Sequence, residues 1–209
     1  MNKYLLDHST AADDTLQWLE RETHYRTVHP RMLTDEPVGT FLTLWVQMQR
    51  PSRILEIGTF TGYSAVCLAK GLEEGAFLDT IEVFDEHQEL MCEAFRRSGL
   101  EQRIRWHIGD AREVIRNLAA QGACYPLVYM DANKREYCDY YRLVKPLIPV
   151  GGMLLADNVL WDGKVLDPQS CDPQTEGLRA FNDLVQADPD MVNVLLPLRD
   201  GLTVCRRIQ

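Results

Sequence analysis

Along this chain the spacing of apolar residues changes period again and again, and each change marks the expected start of a new element. The stretch STAADDTLQWLERETHY (9–25) opens on cap-type residues and carries Leu16, Trp18 and Leu19, which predicts a helix; a second is expected after Pro37, through VGTFLTLWVQMQR. Then the pattern shortens. RILEIG (53–58) is a compact apolar run ending in glycine, and SAVCLAKGL (64–72) resumes helical spacing. The alternation continues with FLDTIEVF (77–84) as strand, DEHQELMCEAFRRSG as a helix capped at Asp85 and closed by Gly99, and IRWHIGD (104–110) as strand. AREVIRNLAAQG reads as helix, YPLVYMDA (125–132) as strand, REYCDYYRLVKPLI as helix and GGMLLADN as strand. TEGLRAFNDLVQAD is a final helix, and MVNVLLPL and GLTVCRRI are two strands joined by the tight turn RDG.

Strands alternating with helices predict an α/β fold: a doubly wound, Rossmann-like, mostly parallel seven-stranded sheet with helices on both faces. The closing hairpin makes the C-terminal strand antiparallel and places an antiparallel edge on the sheet. With 209 residues, 45% of them hydrophobic, the whole chain (1–209) is expected to be one domain. No apolar run approaches the ~20 residues of a bilayer-spanning helix, and the opening segment lacks the apolar centre of a signal peptide, so no membrane partner and a cytoplasmic location are expected. A net charge of −9 argues against generic nucleic-acid binding. Six cysteines at 67, 92, 124, 138, 171 and 205 show no paired short spacing; buried free thiols are expected rather than a zinc or redox site.

In open α/β sheets ligands bind outside the carboxyl ends of the strands. Those ends here carry Glu56 and Gly58, Glu82, Asp110, Asp131, and Asp157 with Asn158. The turn EIGTFTGYS (56–64) is G-x-x-x-G, which is neither the G-x-G-x-x-G of a dinucleotide site nor a phosphate-binding loop followed by Lys-Ser or Lys-Thr. By itself it is as readily plain turn geometry. Glu82 ends the next strand, where an acid commonly accepts hydrogen bonds from a ribose diol, although a solvated acid is the plainer alternative. Together they point to adenosine without a pyrophosphate, which S-adenosylmethionine fits, with Ser64 facing its carboxylate.

Asp131 in YMDANKREY and Asp157-Asn158 in LLADNVLW end consecutive strands, which the crossover rule makes neighbours. Two carboxylates and an amide are hard oxygen donors suited to magnesium, manganese or calcium; each alone would more simply cap a turn. Lys134, three residues beyond Asp131, is a general-base candidate beside such a cation, against the ordinary reading of a surface lysine.

The ordered set EIGTFTGYS, TIEVFDE, GDA, MDANK and LLADNVLWDGKV, extended by DPQTEGLRAFN and LPLRDGLTVCRR, resembles the cation-dependent class I O-methyltransferases, the catechol and caffeoyl-coenzyme-A enzymes and their bacterial relatives, from about Met32 onward. The resemblance implies transfer of the S-adenosylmethionine methyl group to one hydroxyl of a vicinal diphenol, with a divalent cation and in a homodimer. It implies Asp131, Asp157 and Asn158 as metal ligands and Lys134 as base. It further implies cofactor contacts at Thr34, Glu56, Gly58, Phe60, Ser64, Glu82, Asp110, Ala111 and Asp131, with helices in residues 1–50 covering the site. Tyr137 and Trp161 match positions beside the substrate mouth, and each also fits core packing. Asn133 and Arg199 depart from the family pattern, which alters the expected substrate wall. Three other readings stand beside this one: a nicotinamide-dependent oxidoreductase, a non-catalytic cofactor-binding module, and a methyltransferase acting on nucleic acid or protein.

Overall fold

The computed structural model describes residues 2–209; the first residue of the expected domain lies outside the described residues. Seven strands occur in the order β3-β2-β1-β4-β5-β7-β6. They are β1 (Arg53–Ile57), β2 (Phe77–Glu82), β3 (Ile104–Ile108), β4 (Leu127–Met130), β5 (Met153–Asp157), β6 (Met191–Leu196) and β7 (Leu202–Arg207). The helices are α1 (Asn2–Asp7), α2 (Asp14–Arg26), α3 (Glu36–Gln49), α4 (Tyr63–Gly71), α5 (Gln88–Arg97), α6 (Ala111–Ala120), α7 (Tyr137–Val144) and α8 (Pro173–Gln186). The chain divides into two compact units, one ending at Ser52 and resuming over Thr59–Ile108, the other made of Arg53–Gly58 and Gly109–Gln209.

In the first unit, α1 is an addition to the expected elements, and α2 starts at Asp14 rather than near Ser9. The reason is the cap: Asp13 accepts the Leu16 backbone N–H at 3.0 Å, satisfying a donor that a helix start leaves open. Asp35 does the same for Val38 at 3.0 Å, with Pro37 in the first turn of α3. The helix α3 lies close along α4 because small residues face the contact. A Cβ on Gly39 would stand 2.8 Å from Cys67 Sγ, and the Thr43 hydroxyl donates to the Cys67 carbonyl at 2.8 Å. The cap expected at Asp85 is not made: its carbonyl accepts the Gln88 N–H in a preceding turn, and α5 begins at Gln88 behind His87, which offers no side-chain bond. Strands β2 and β3 pair in parallel from Leu78↔Ile104 to Glu82↔Ile108.

In the second unit β1, β4 and β5 are parallel neighbours and nearly every residue in them is buried, which accounts for their continuous apolar runs. The expected antiparallel C-terminal strand is present, and it stands one place in from the edge. β7 pairs antiparallel with β5 on one side and β6 on the other, so β6 is outermost in the strand order. The crossover through α8 sets β6 parallel to β5 one place out, and the short hairpin then brings β7 back into the gap. Burial follows: Leu202 to Cys205 are buried in β7, whereas β6 exposes Val192, Val194 and Leu195. The helix expected over 135–148 is broken into a 3-10 turn at Lys134–Glu136, α7, and a second 3-10 turn at Lys145–Leu147 containing Pro146, which has no N–H to continue a helix.

All six cysteines are free, but only Cys67 and Cys205 are buried; Cys124 and Cys171 are exposed, so burial does not account for those two thiols. Among the described residues no helix is long and apolar enough to cross a membrane.

Candidate active site

Parallel pairing of β4 with β5 ends at Met130↔Ala156, so Asp131 and Asp157 leave neighbouring strands at the same end. This is the juxtaposition the strand pattern predicted. Asp157 is fully buried. Burial, and then the negative charge of Asp131, push its carboxyl up to about 6. Its oxygens are each held by one donor, the Tyr129 hydroxyl at 2.9 Å and the Asn158 backbone N–H at 2.8 Å, which leaves acceptor capacity on both. Asn158 adopts φ 59°, and among the described residues its side-chain amide makes no hydrogen bond to protein.

Lys134 is not a surface lysine: it is 6% exposed. The 3-10 turn over Lys134–Glu136, capped by Asn133, aims its ammonium at Asp131 Oδ1, 2.6 Å away, and at the Tyr137 hydroxyl, 2.8 Å away. A third donor on the ammonium remains. Close packing of α8 fixes the turn, since a Cβ on Gly177 would stand 2.6 Å from the Lys134 carbonyl oxygen.

Tyr137, expected beside the substrate mouth, lies wholly inside the protein with its ring edge-on to Phe181. Its hydroxyl accepts from Lys134 and donates to the Asp157 backbone carbonyl at 2.9 Å, with the Met130 carbonyl at 3.2 Å. It ties the base candidate to the ends of β4 and β5. Trp161 is half-exposed, and its ring centroid is 5.9 Å from Lys134 Nζ.

The sequence did not single out Tyr129 or Asp200. Tyr129 shares the face of β4 that continues to Asp131, a period-2 relation that was available. Asp200, noticed only as part of a turn, accepts the Asp162 N–H at 2.5 Å and lies within electrostatic reach of Lys134.

Also in this unit, Glu56 is buried in β1 opposite Tyr129 of β4. Gly58 has φ 96°, and a Cβ there would fall 2.1 Å from the Asp131 carbonyl oxygen, so no other residue fits. Asp110 caps α6 at Arg112 N–H and is gripped by the Arg112 guanidinium at 2.6 and 3.0 Å; these bonds lower its carboxyl to about 2. Ala111, buried, is the first residue of α6.

The first unit holds the other expected cofactor residues. Glu82 ends β2, and both its oxygens are engaged by backbone N–H groups: Oε2 by Thr59 at 3.2 Å and Phe60 at 2.7 Å, Oε1 by Val83 at 2.9 Å and Phe84 at 3.3 Å. The acid therefore shapes the glycine loop itself. Phe60 sits at φ 51° with its ring edge-on to His87, and Gly62, φ 95°, caps α4. Thr34 and Ser64 are buried, and neither hydroxyl has a hydrogen-bond partner among the described residues.

As a donor set, Asp131, Asp157 and Asn158 suit a hard divalent cation: two carboxylates whose mutual repulsion a cation would relieve, and an unengaged amide oxygen. Among the described residues no group of three or more His, Cys, Asp or Glu side chains is gathered for a metal, so the set rests on two carboxylates and an amide.

The O-methyltransferase family model matches residues 6–208. Caffeoyl-CoA O-methyltransferase 2 of Populus trichocarpa is 31% identical over 188 residues, covering 85% of this chain and 76% of its own length. A catechol O-methyltransferase of Niastella koreensis is 34% identical over 160 residues, 76% of this chain and 72% of its own. Among solved structures, the O-methyltransferase TomG of Streptomyces achromogenes, in complex with SAM, superposes with a TM-score of 0.92 at 27% identity, covering 99% of this chain and 95% of that one. A match running almost the full length leads to one conclusion: this chain belongs to the O-methyltransferase family.

Proposed function

We propose that the protein transfers the methyl group of S-adenosylmethionine to a hydroxyl of a small vicinal diphenol, catechol-like or caffeoyl-like, with the help of a divalent cation, magnesium in the first instance. The observation that carries this reading is the β4–β5 register, which delivers Asp131 and Asp157 to one end of the sheet with buried Lys134 hydrogen-bonded to Asp131. Family membership sets aside the nicotinamide-dependent oxidoreductase, and the retained lysine and carboxylates speak against a non-catalytic module.

Asp131, Asp157 and Asn158 would hold the cation. Bound there, it would lower the pKa of a chelated diphenol and fix the orientation of its oxygens. Lys134 would accept the proton from the hydroxyl to be methylated; Tyr137 keeps the amine directed along the line of Asp131. Trp161 would face the ring. Phe60, Ser64 and Thr34 in the first unit, and Glu56, Gly58, Asp110, Ala111 and Asp131 in the second, are the proposed cofactor contacts. Glu82 would take the ribose by releasing its two longest bonds, those from Thr59 and Phe84, while keeping the shorter pair. A homodimer is the expected assembly, readable by sedimentation.

The test is methylation of catechol, caffeic acid and caffeoyl-coenzyme A, followed by mass spectrometry, with magnesium or with EDTA. Product is expected only with the cation, and the Asp157→Ala variant should lose it. Turnover that survives both EDTA and that substitution would sink the metal-assisted mechanism; failure on every diphenol would sink the substrate class.

A further inference from the structure

The segment between β5 and α8 departs from regular structure in an unusual way. Trp161, Asp162 and Gly163 stand at φ 51°, 55° and 75°, three successive left-handed residues of which only one is glycine. Such a conformation persists only where surrounding structure holds it. At its near end the β6–β7 turn does so: the Val159 N–H donates to the Gly201 carbonyl at 3.1 Å, Leu160 to the Asp200 carbonyl at 2.9 Å, and Asp162 to Asp200 Oδ1 at 2.5 Å.

At its far end one side chain does the same. Arg179, on α8, uses every N–H group of its guanidinium. Nε donates to the Val165 carbonyl at 3.0 Å, and Nη2 to the carbonyls of Lys164 at 3.0 Å and of Asp167. Nη1 donates to the Ser170 carbonyl at 2.9 Å and to Glu176 Oε1 at 2.5 Å. Four carbonyls of one irregular segment thus converge on a single planar fork, an arrangement a lysine cannot reproduce because its donors radiate from one point.

We infer that Arg179 is a positioning residue for acceptor binding: by gathering the carbonyls of residues 164 to 170 it fixes the segment that presents Trp161 near Lys134, and so sets how tightly the acceptor ring is held. This rests on the proposed function for the meaning of acceptor, but the clamp is testable without it.

The experiment compares the full chain with Arg179→Lys and Asp200→Ala, which loosen the segment from opposite ends. Amide hydrogen exchange over residues 161–171 and the fluorescence difference against a Trp161→Phe background read the clamp; calorimetry reads S-adenosylmethionine binding; initial rates with a catechol read KM and kcat. In Arg179→Lys, exchange over the segment should quicken ~10-fold or more and the acceptor KM rise ~10-fold, as a displaced wall would cause, with kcat and cofactor affinity within about twofold of the parent. Unchanged exchange and KM would overturn the inference. So would a parallel fall of KM performance, kcat and cofactor affinity, the mark of general damage. If Arg179→Lys does not fold, Arg179→Gln decides by the same readings. If the parent methylates no diphenol, the proposed function fails, while exchange and fluorescence still judge the clamp.

Discussion

Two acidic regions of this protein handle negative charge in opposite ways. At the end of β2, Glu82 meets four backbone N–H groups, so its charge is spent on local architecture. At the ends of β4 and β5, Asp131 and Asp157 meet each other, a lysine and a tyrosine, and Asp157 is left holding its proton more tightly than usual, with a carboxyl near 6. A carboxylate satisfied by amides is a scaffold. A buried carboxylate beside a second, partly buried one, with a single lysine between the two charges, is a place where a cation or a proton gains by binding.

That contrast can be broken, and the largest effects belong to the second region. Lys134→Met should lower kcat by ~10²-fold or more, the ordinary worth of a positioned base, while S-adenosylmethionine affinity measured by calorimetry stays unchanged. Equal loss in both would make Lys134 a cofactor-binding residue instead. Next comes Gly58→Ala: with a Cβ 2.1 Å from the Asp131 carbonyl oxygen and φ 96°, the chain must shift, at a cost of ~2 kcal/mol or more in denaturant unfolding. Glu82→Gln should act differently from either. It removes the charge that four amides share, so cofactor affinity should fall ~10-fold with kcat at saturation little altered; a preserved affinity would show that the acid serves the loop alone.

The smallest expected effect concerns Asp110. Asp110→Ala should cost about 1 kcal/mol, the usual value of a helix cap. Its folded carboxyl lies near 2, below the ordinary 3.8, so its contribution is complete above pH 3.8 and fades as pH falls toward 2. Melts of the two proteins should therefore converge across that window. A constant gap would mean that the Arg112 pairing contributes nothing.

Much of the second region was legible because parallel strands give sequence order a spatial meaning. An apolar run that stops at an acid marks a strand end, and two such runs joined by a helix become neighbours, which is how Asp131 and Asp157 were matched. Lys134 followed by proximity along the chain. What stayed hidden depends on partners without side-chain identity. Arg179 binds carbonyls, which any residue could supply, and Glu82 binds N–H groups, so neither role leaves a trace in composition. For Tyr137 the family resemblance suggests a place beside the mouth and its aromatic ring suggests core packing; the ring is buried against Phe181 of α8, which fits the second reading. Asp110, expected to face adenine, shows first as the cap of α6, a use that the following helix pattern already implied. The antiparallel edge was legible from the hairpin, but its order was not, because a hairpin fixes which strands pair and not which of them faces outward.

The place of β7 bears on how this molecule matures. Asp157 pairs with Leu202, and every ladder partner of β6 lies on β7, so one edge of the strand that ends in the candidate metal ligands is completed by an element made long after it. During synthesis β5 waits with that edge open across the whole of α8 and β6. The strand that ends in Asp157 is thus made midway through its unit and is among the last to be secured, so completion of the candidate site is tied to completion of the fold.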